Sequence, residues 1–100
     1  MASRRVSIQG TASGALNLVR RAVEESGLTV QDFEEIRGGF SCTTGAGITS
    51  WGSKIAVVVE EVQASATTVT ISVLPRAQLI DWGRSAGELT SIINALNRLI

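Results

Sequence analysis

Lys54-Ile55-Ala56-Val57-Val58-Val59-Glu60-Glu61-Val62, followed by Gln63-Ala64-Ser65-Ala66 and then by Thr67-Thr68-Val69-Thr70-Ile71-Ser72-Val73-Leu74-Pro75, is the stretch that decides the fold. Its first segment is rich in β-branched residues. Its last alternates cleanly, with Val69, Ile71 and Val73 on one side and Thr68, Thr70 and Ser72 on the other. A period of two is that of a pleated strand, whose successive side chains point to opposite faces. Two such runs joined by a short link of small and polar residues predict an antiparallel hairpin. Pro75, the only proline, ends the second strand because it brings no N–H to a ladder. The first strand is apolar in both directions: Ile55, Val57 and Val59 alternate with Ala56, Val58 and Val62, so neither side belongs wholly to water.

Working outward, Val6 and Ile8 alternate with Arg5, Ser7 and Gln9 as a half-buried strand that Gly10 ends. Leu16, Val19, Ala22 and Val23 then recur at three- and four-residue spacing, which predicts an amphipathic helix. Thr11 or Ser13 can cap its first amides, and Gly27 suits a left-handed stop with Leu28 folding back. From Leu28 the pattern gives two short strands, about 28–34 and 40–44, turning around Arg37-Gly38-Gly39. Past Pro75, Ser85-Ala86-Gly87-Glu88 has capping-box spacing, and Leu89, Ile92, Ile93, Leu96 and Leu99 mark the buried stripe of a closing helix.

The element order is therefore β-α-β-β-β-β-α, an α+β two-layer sandwich with a mostly antiparallel sheet and both helices packed on one face. The first crossover helix leaves room for one parallel strand pair. This layout resembles the TATA-binding-protein-like and helix-grip groups of folds. With Ser50-Trp51-Gly52 ahead of the long hairpin and Asp81-Trp82-Gly83 ahead of the last helix, it also looks like a small bacterial domain of unknown function. The resemblance spans nearly the whole chain and implies no catalytic motif. Fold likeness alone supplies no function.

One hundred residues with 44% hydrophobic content suit one domain, 1–100, with a single core. Nine basic and nine acidic residues cancel, so no bulk charge draws the chain to nucleic acid or to an anionic membrane. The single cysteine, Cys42, has no internal disulfide partner, and no apolar run approaches the roughly 18 residues of a membrane span. The expected setting is cytoplasmic.

Chemistry-bearing groups are sparse. Without histidine the chain lacks the usual general base near neutral pH and the commonest transition-metal ligand, so neither a catalytic nor a metal site is assigned, and no cofactor. Cys42, on an alternating strand beside Phe40 and Thr44, reads as a small buried hydrophobe. Asp32, Glu34 and Glu35 read as solvated carboxylates near a turn. Gly45-Ala46-Gly47-Ile48-Thr49-Ser50 lacks the Gly-Lys-Ser/Thr ending of a phosphate loop. Arg4, Arg5, Arg20 and Arg21 read as a solvated charged face, with no tyrosine to stack on bases. Each tryptophan has an apolar face and one donor, suited either to closing the edge of the core or, beside Thr43, Thr44 and Arg84, to rimming a ligand or peptide site.

Two functions follow as expectations. The first is a non-enzymatic module that binds a protein partner or homodimerises through its sheet face or an edge strand. Val58 is then the outward position where a lysine weakens association and spares the fold. The second is a carrier or sensor of a small apolar ligand such as a lipid, held between sheet and C-terminal helix. The candidate binding residues for either are Thr43, Thr44, Trp51, Val58, Trp82 and Arg84. An enzyme ranks third, for want of catalytic groups.

Overall fold

The strands and helices form where alternation and amphipathic spacing put them. The computed structural model describes residues 2–28, 30–44, 52–75 and 84–100. In chain order they give β1 (Ala2–Gln9), α1 (Ala12–Glu25), β2 (Val30–Ile36), β3 (Gly39–Thr44), β4 (Ser53–Val62), β5 (Ala66–Pro75) and α2 (Arg84–Leu99). The five strands make one sheet in the order β1-β5-β4-β3-β2, with every neighbouring pair antiparallel. The parallel pair that α1 left room for does not form among the described residues. β1 and β2 run the same way, but they lie at opposite edges with three strands between them.

Both helices cover one face. Register sets Ile55 opposite Val73, Val57 opposite Ile71 and Val59 opposite Val69, so one layer of β-branched side chains lies beneath the helices. Onto it α1 lays Ala15, Val19, Ala22 and Val23, and α2 lays Leu89, Ile92, Ile93, Ala95 and Leu96. α1 packs over β4 and β5, α2 over β5 and β1, and the helices pack against each other. Burying each large aliphatic side chain in this layer stabilises the fold by about 1.5–3 kcal/mol.

The ends of α1 follow the sequence signals. The Thr11 hydroxyl accepts from the Gly14 amide at 3.1 Å, and Gly27, at φ +90°, turns the chain out of the helix. α2 departs from its signal. It begins at Arg84, so Ser85 lies inside the first turn rather than ahead of it. The Glu88 carboxylate accepts a hydrogen bond from the Ser53 hydroxyl at 2.7 Å. Glu88 faces the sheet and is buried, and a buried carboxylate needs a donor from whatever packs against it.

Two bulges adjust the sheet. In β4, Val59 pairs with Val69 but Glu61 pairs with Thr68, leaving Glu60 as an extra residue. One extra residue exchanges the faces of everything beyond it. Val62 is therefore set opposite Thr67, in register with the helix-side layer, and does not continue the Ala56–Val58 row. In β2 the register shifts between Gln31 and Glu34, and Asp32 there takes φ +47°.

Candidate functional site

Alternation separates the residues singled out from the sequence. Thr43 and Thr44 are neighbours in β3, so they point to opposite faces. Thr43 lies on the side away from the helices, where its hydroxyl donates to the Gln31 carbonyl at 3.3 Å. Thr44 is buried, and its hydroxyl accepts from the Ser53 amide at 2.7 Å, joining β3 to the start of β4. Thr44 therefore serves the core end and cannot share a site with Thr43. Arg84 is the first residue of α2. Trp51, Trp82 and Asp81, together with the glycine loop 45–50, lie outside the described residues.

Val58 faces away from the helices, 37% exposed, while Ile55 and Val57 are fully buried on the other side, as the alternation predicted. Across the sheet it meets Gly39 on β3 and Thr70 on β5, and the next row holds Ser41, Ala56 and Ser72. Around Val58 the open face is thus made of small and hydroxyl side chains, with a second exposed aliphatic, Ile36, beyond Gly39 in the same row. Val58→Lys is accordingly expected to change stability by no more than about 0.5 kcal/mol in urea unfolding. A loss above about 2 kcal/mol would mean that something covers this position.

Cys42 is buried on the helix side, its thiol pushed up to about 11 by burial and secondarily by the Glu24 carboxylate. A thiol that stays protonated at neutral pH is a poor nucleophile. The arginines do not gather into one patch. Arg4 and Arg5 point to opposite faces of β1, where Arg5 Nε pairs with Glu60 at 3.3 Å, while Arg20 sits on α1 and pairs with Glu24 at 3.3 Å.

Two features escaped the sequence reading. The first is a groove of about 530 Å³ on the helix-side face, between α1 and the β2–β3 hairpin. It exists because α1 packs over β4 and β5 and leaves the edge strand β2 uncovered. Leu16, Phe33, Phe40 and Val59 line it. The two phenylalanine rings, the only two in the chain, stack with centroids 4.9 Å apart, and the Arg20 guanidinium lies 4.0 Å above the Phe33 ring. The available signal was the presence of both phenylalanines in one predicted hairpin. The bulge at Asp32, just ahead of Phe33, has no sequence mark beyond an aspartate, a residue that tolerates positive φ.

The second is the contrast between the two sheet edges. β2 is interrupted by its bulge and carries exposed Asp32, Glu34 and Glu35, devices that discourage further strand pairing. β1 pairs with β5 without interruption from Ala2 to Gln9 and has neither proline nor acidic residue. No described helix is long and apolar enough to cross a membrane. No protein-family model and no curated protein sequence matches the chain.

Proposed function

We propose that this domain is a non-enzymatic interaction module that self-associates through β1, the β1 strand of a second copy extending the sheet antiparallel to its own. The inequality of the two edges carries this reading. An edge strand presents a row of amides and carbonyls to any strand that can approach, and of the two edges only β1 pairs without a bulge along its described length, with Arg4 and Arg5 as its charged residues.

Register favours a second copy as the occupant. About a two-fold axis centred on Val6, Arg4 falls opposite Ile8 and Arg5 opposite Ser7, so no two arginines face each other. The half-buried Val6 side chains then meet beside α2. Such an interface is isologous and closes at two subunits. Pairing β1 with β2 of another copy would bring Arg4 and Arg5 towards Glu34 and Glu35, but it meets the Asp32 bulge and leaves a free edge at each end. The carrier alternative, with its ligand between sheet and C-terminal helix, has less in its favour: Ile71, Val73, Ile92 and Leu96 are buried in the core cluster there, and the space of about 280 Å³ beside α2 lies at the β1 edge, among Ala2, Arg4, Leu89 and Ile93.

Sedimentation equilibrium of the full chain tests the reading, with a concentration-dependent dimer expected. Successive amides of a strand point to opposite sides, so of Arg4→Pro and Arg5→Pro one removes an amide bonded to β5 and the other an outward amide. The outward one should stay folded by circular dichroism and become monomeric. A native chain that is monomeric at every accessible concentration removes the proposal. If Val58→Lys dissociates the dimer and the folded proline variant does not, the interface is the open face instead.

A further inference from the structure

We infer that the groove between α1 and the β2–β3 hairpin binds a small amphiphilic anion, its apolar body lying along Leu16, Val59 and the edge of Phe33 and its charged end held by Arg20. This site is at the β2 side of the sheet, opposite β1, so it stands or falls separately from self-association.

The groove, at about 530 Å³, lies within the range that accommodates a drug-sized molecule. Its floor is apolar: Leu16, Phe33, Phe40 and Val59. Phe33 is only half-buried, because an edge strand outside the helix layer has nothing above it but the Arg20 side chain. A ring or alkyl chain seated there removes from water apolar surface that the fold leaves open, at about 25 cal/mol per Å².

The polar groups decide the sign of the ligand. Along α1, Ser13, Asn17 and Arg20 line one wall at successive turns, each able to donate. Arg20 Nε is tied to Glu24, and among the described residues its two terminal amino groups have no other partner. The Arg20–Glu24 pair is an exposed i,i+4 pair, worth only about 0.3–0.5 kcal/mol, so a ligand carboxylate can share or displace it at little cost. A cationic ligand is disfavoured, since the face of Phe33 that it would seek is already occupied by the guanidinium. Glu35, on the opposite wall, repels an anion and so directs the charged end towards α1. An aromatic or an aliphatic body would satisfy the floor, where Phe33, stacked on Phe40 and covered by Arg20, offers its ring edge.

The test is isothermal titration of the full chain with 2-naphthoate, decanoate and the uncharged 2-naphthylmethanol. Saturable binding of 2-naphthoate at one site is expected. Phe33→Leu, which keeps an apolar side chain and so the fold but removes the ring that seats Arg20, should weaken it about threefold, and Arg20→Gln about fivefold. Glu24→Gln, by freeing Arg20, should strengthen it about twofold, a gain that a merely structural role for this pair would not give. Binding of decanoate with the same dependence on Arg20 identifies an aliphatic source, and its absence an aromatic one; both support the site. No saturable binding of either anion up to about 5 mM overturns the inference. Equal affinity for 2-naphthylmethanol, or indifference to both Phe33→Leu and Arg20→Gln, overturns it as well.

Discussion

Gly39→Ala is expected to cost about 3 kcal/mol or more, the largest loss from alanine at any of the glycines with described surroundings. Its backbone has no unusual φ, and the reason is space. A Cβ on Gly39 would lie 1.8 Å from the Val57 carbonyl oxygen, 2.8 Å from the Val57 carbonyl carbon and 3.1 Å from the Val58 Cα. All three are backbone atoms of β4, so no side-chain rotation relieves the clash and the β2–β3 hairpin must move off the sheet. That movement strains the bond from the Val59 amide to the Gly38 carbonyl, now 2.8 Å, and the close pairing of Gly39 with Val58. Gly87 supplies the control. It lies exposed inside α2, nothing within 4 Å would meet its Cβ, and alanine there should stabilise by about 0.5–1 kcal/mol through helix propensity. Urea unfolding of the two variants reads opposite signs. A Gly39→Ala loss below about 1 kcal/mol would mean that β3 does not approach β4 this closely.

Leu96→Ala should cost about 2–5 kcal/mol. Leu96 is 1% exposed in the inward stripe of α2, and the fully buried Ile71, Val73 and Ile92 belong to the same core cluster, so the lost side chain leaves a cavity in a rigid β-branched layer. Leu99, one turn further and only partly buried, should cost distinctly less on the same substitution, about 1 kcal/mol. Equal losses at the two positions, or a loss at Leu96 below about 1 kcal/mol, would show that α2 does not cover the sheet as described.

Local pattern reached far in this chain because most of its strands bury only one face. Val69, Ile71 and Val73 are buried and Thr68, Thr70 and Ser72 half-exposed, so alternation in the sequence is alternation in the sheet. Leu89, Ile92, Ile93 and Leu96 likewise report the inward stripe of α2 through helical spacing. The outward placement of Val58 followed from the same rule. Legibility fails where a side chain answers to something distant. Glu88 has the spacing of a cap partner, and that spacing does not record its bond to Ser53, 35 residues away, because a buried carboxylate takes a donor that packing brings. Thr44, read as a rim residue beside Thr43, instead binds the Ser53 amide on the buried face. Val62 continues the apolar run of β4, yet the bulge at Glu60 moves it out of the row its parity assigned.

By itself the sequence determined the number, kind and order of the elements and the two-layer class, because each of these follows from a short-range period and from the burial of one face. The tertiary structure alone decided that β1 joins β5 rather than its neighbour in the chain, and with that which strands became edges. Strand partnership is settled by which apolar faces can be covered together, a competition among segments more than fifty residues apart that no local period records. The uninterrupted β1 edge and the groove beside Phe33 both descend from that choice: the two helices cover β1, β5 and β4, and β2 is left beyond them.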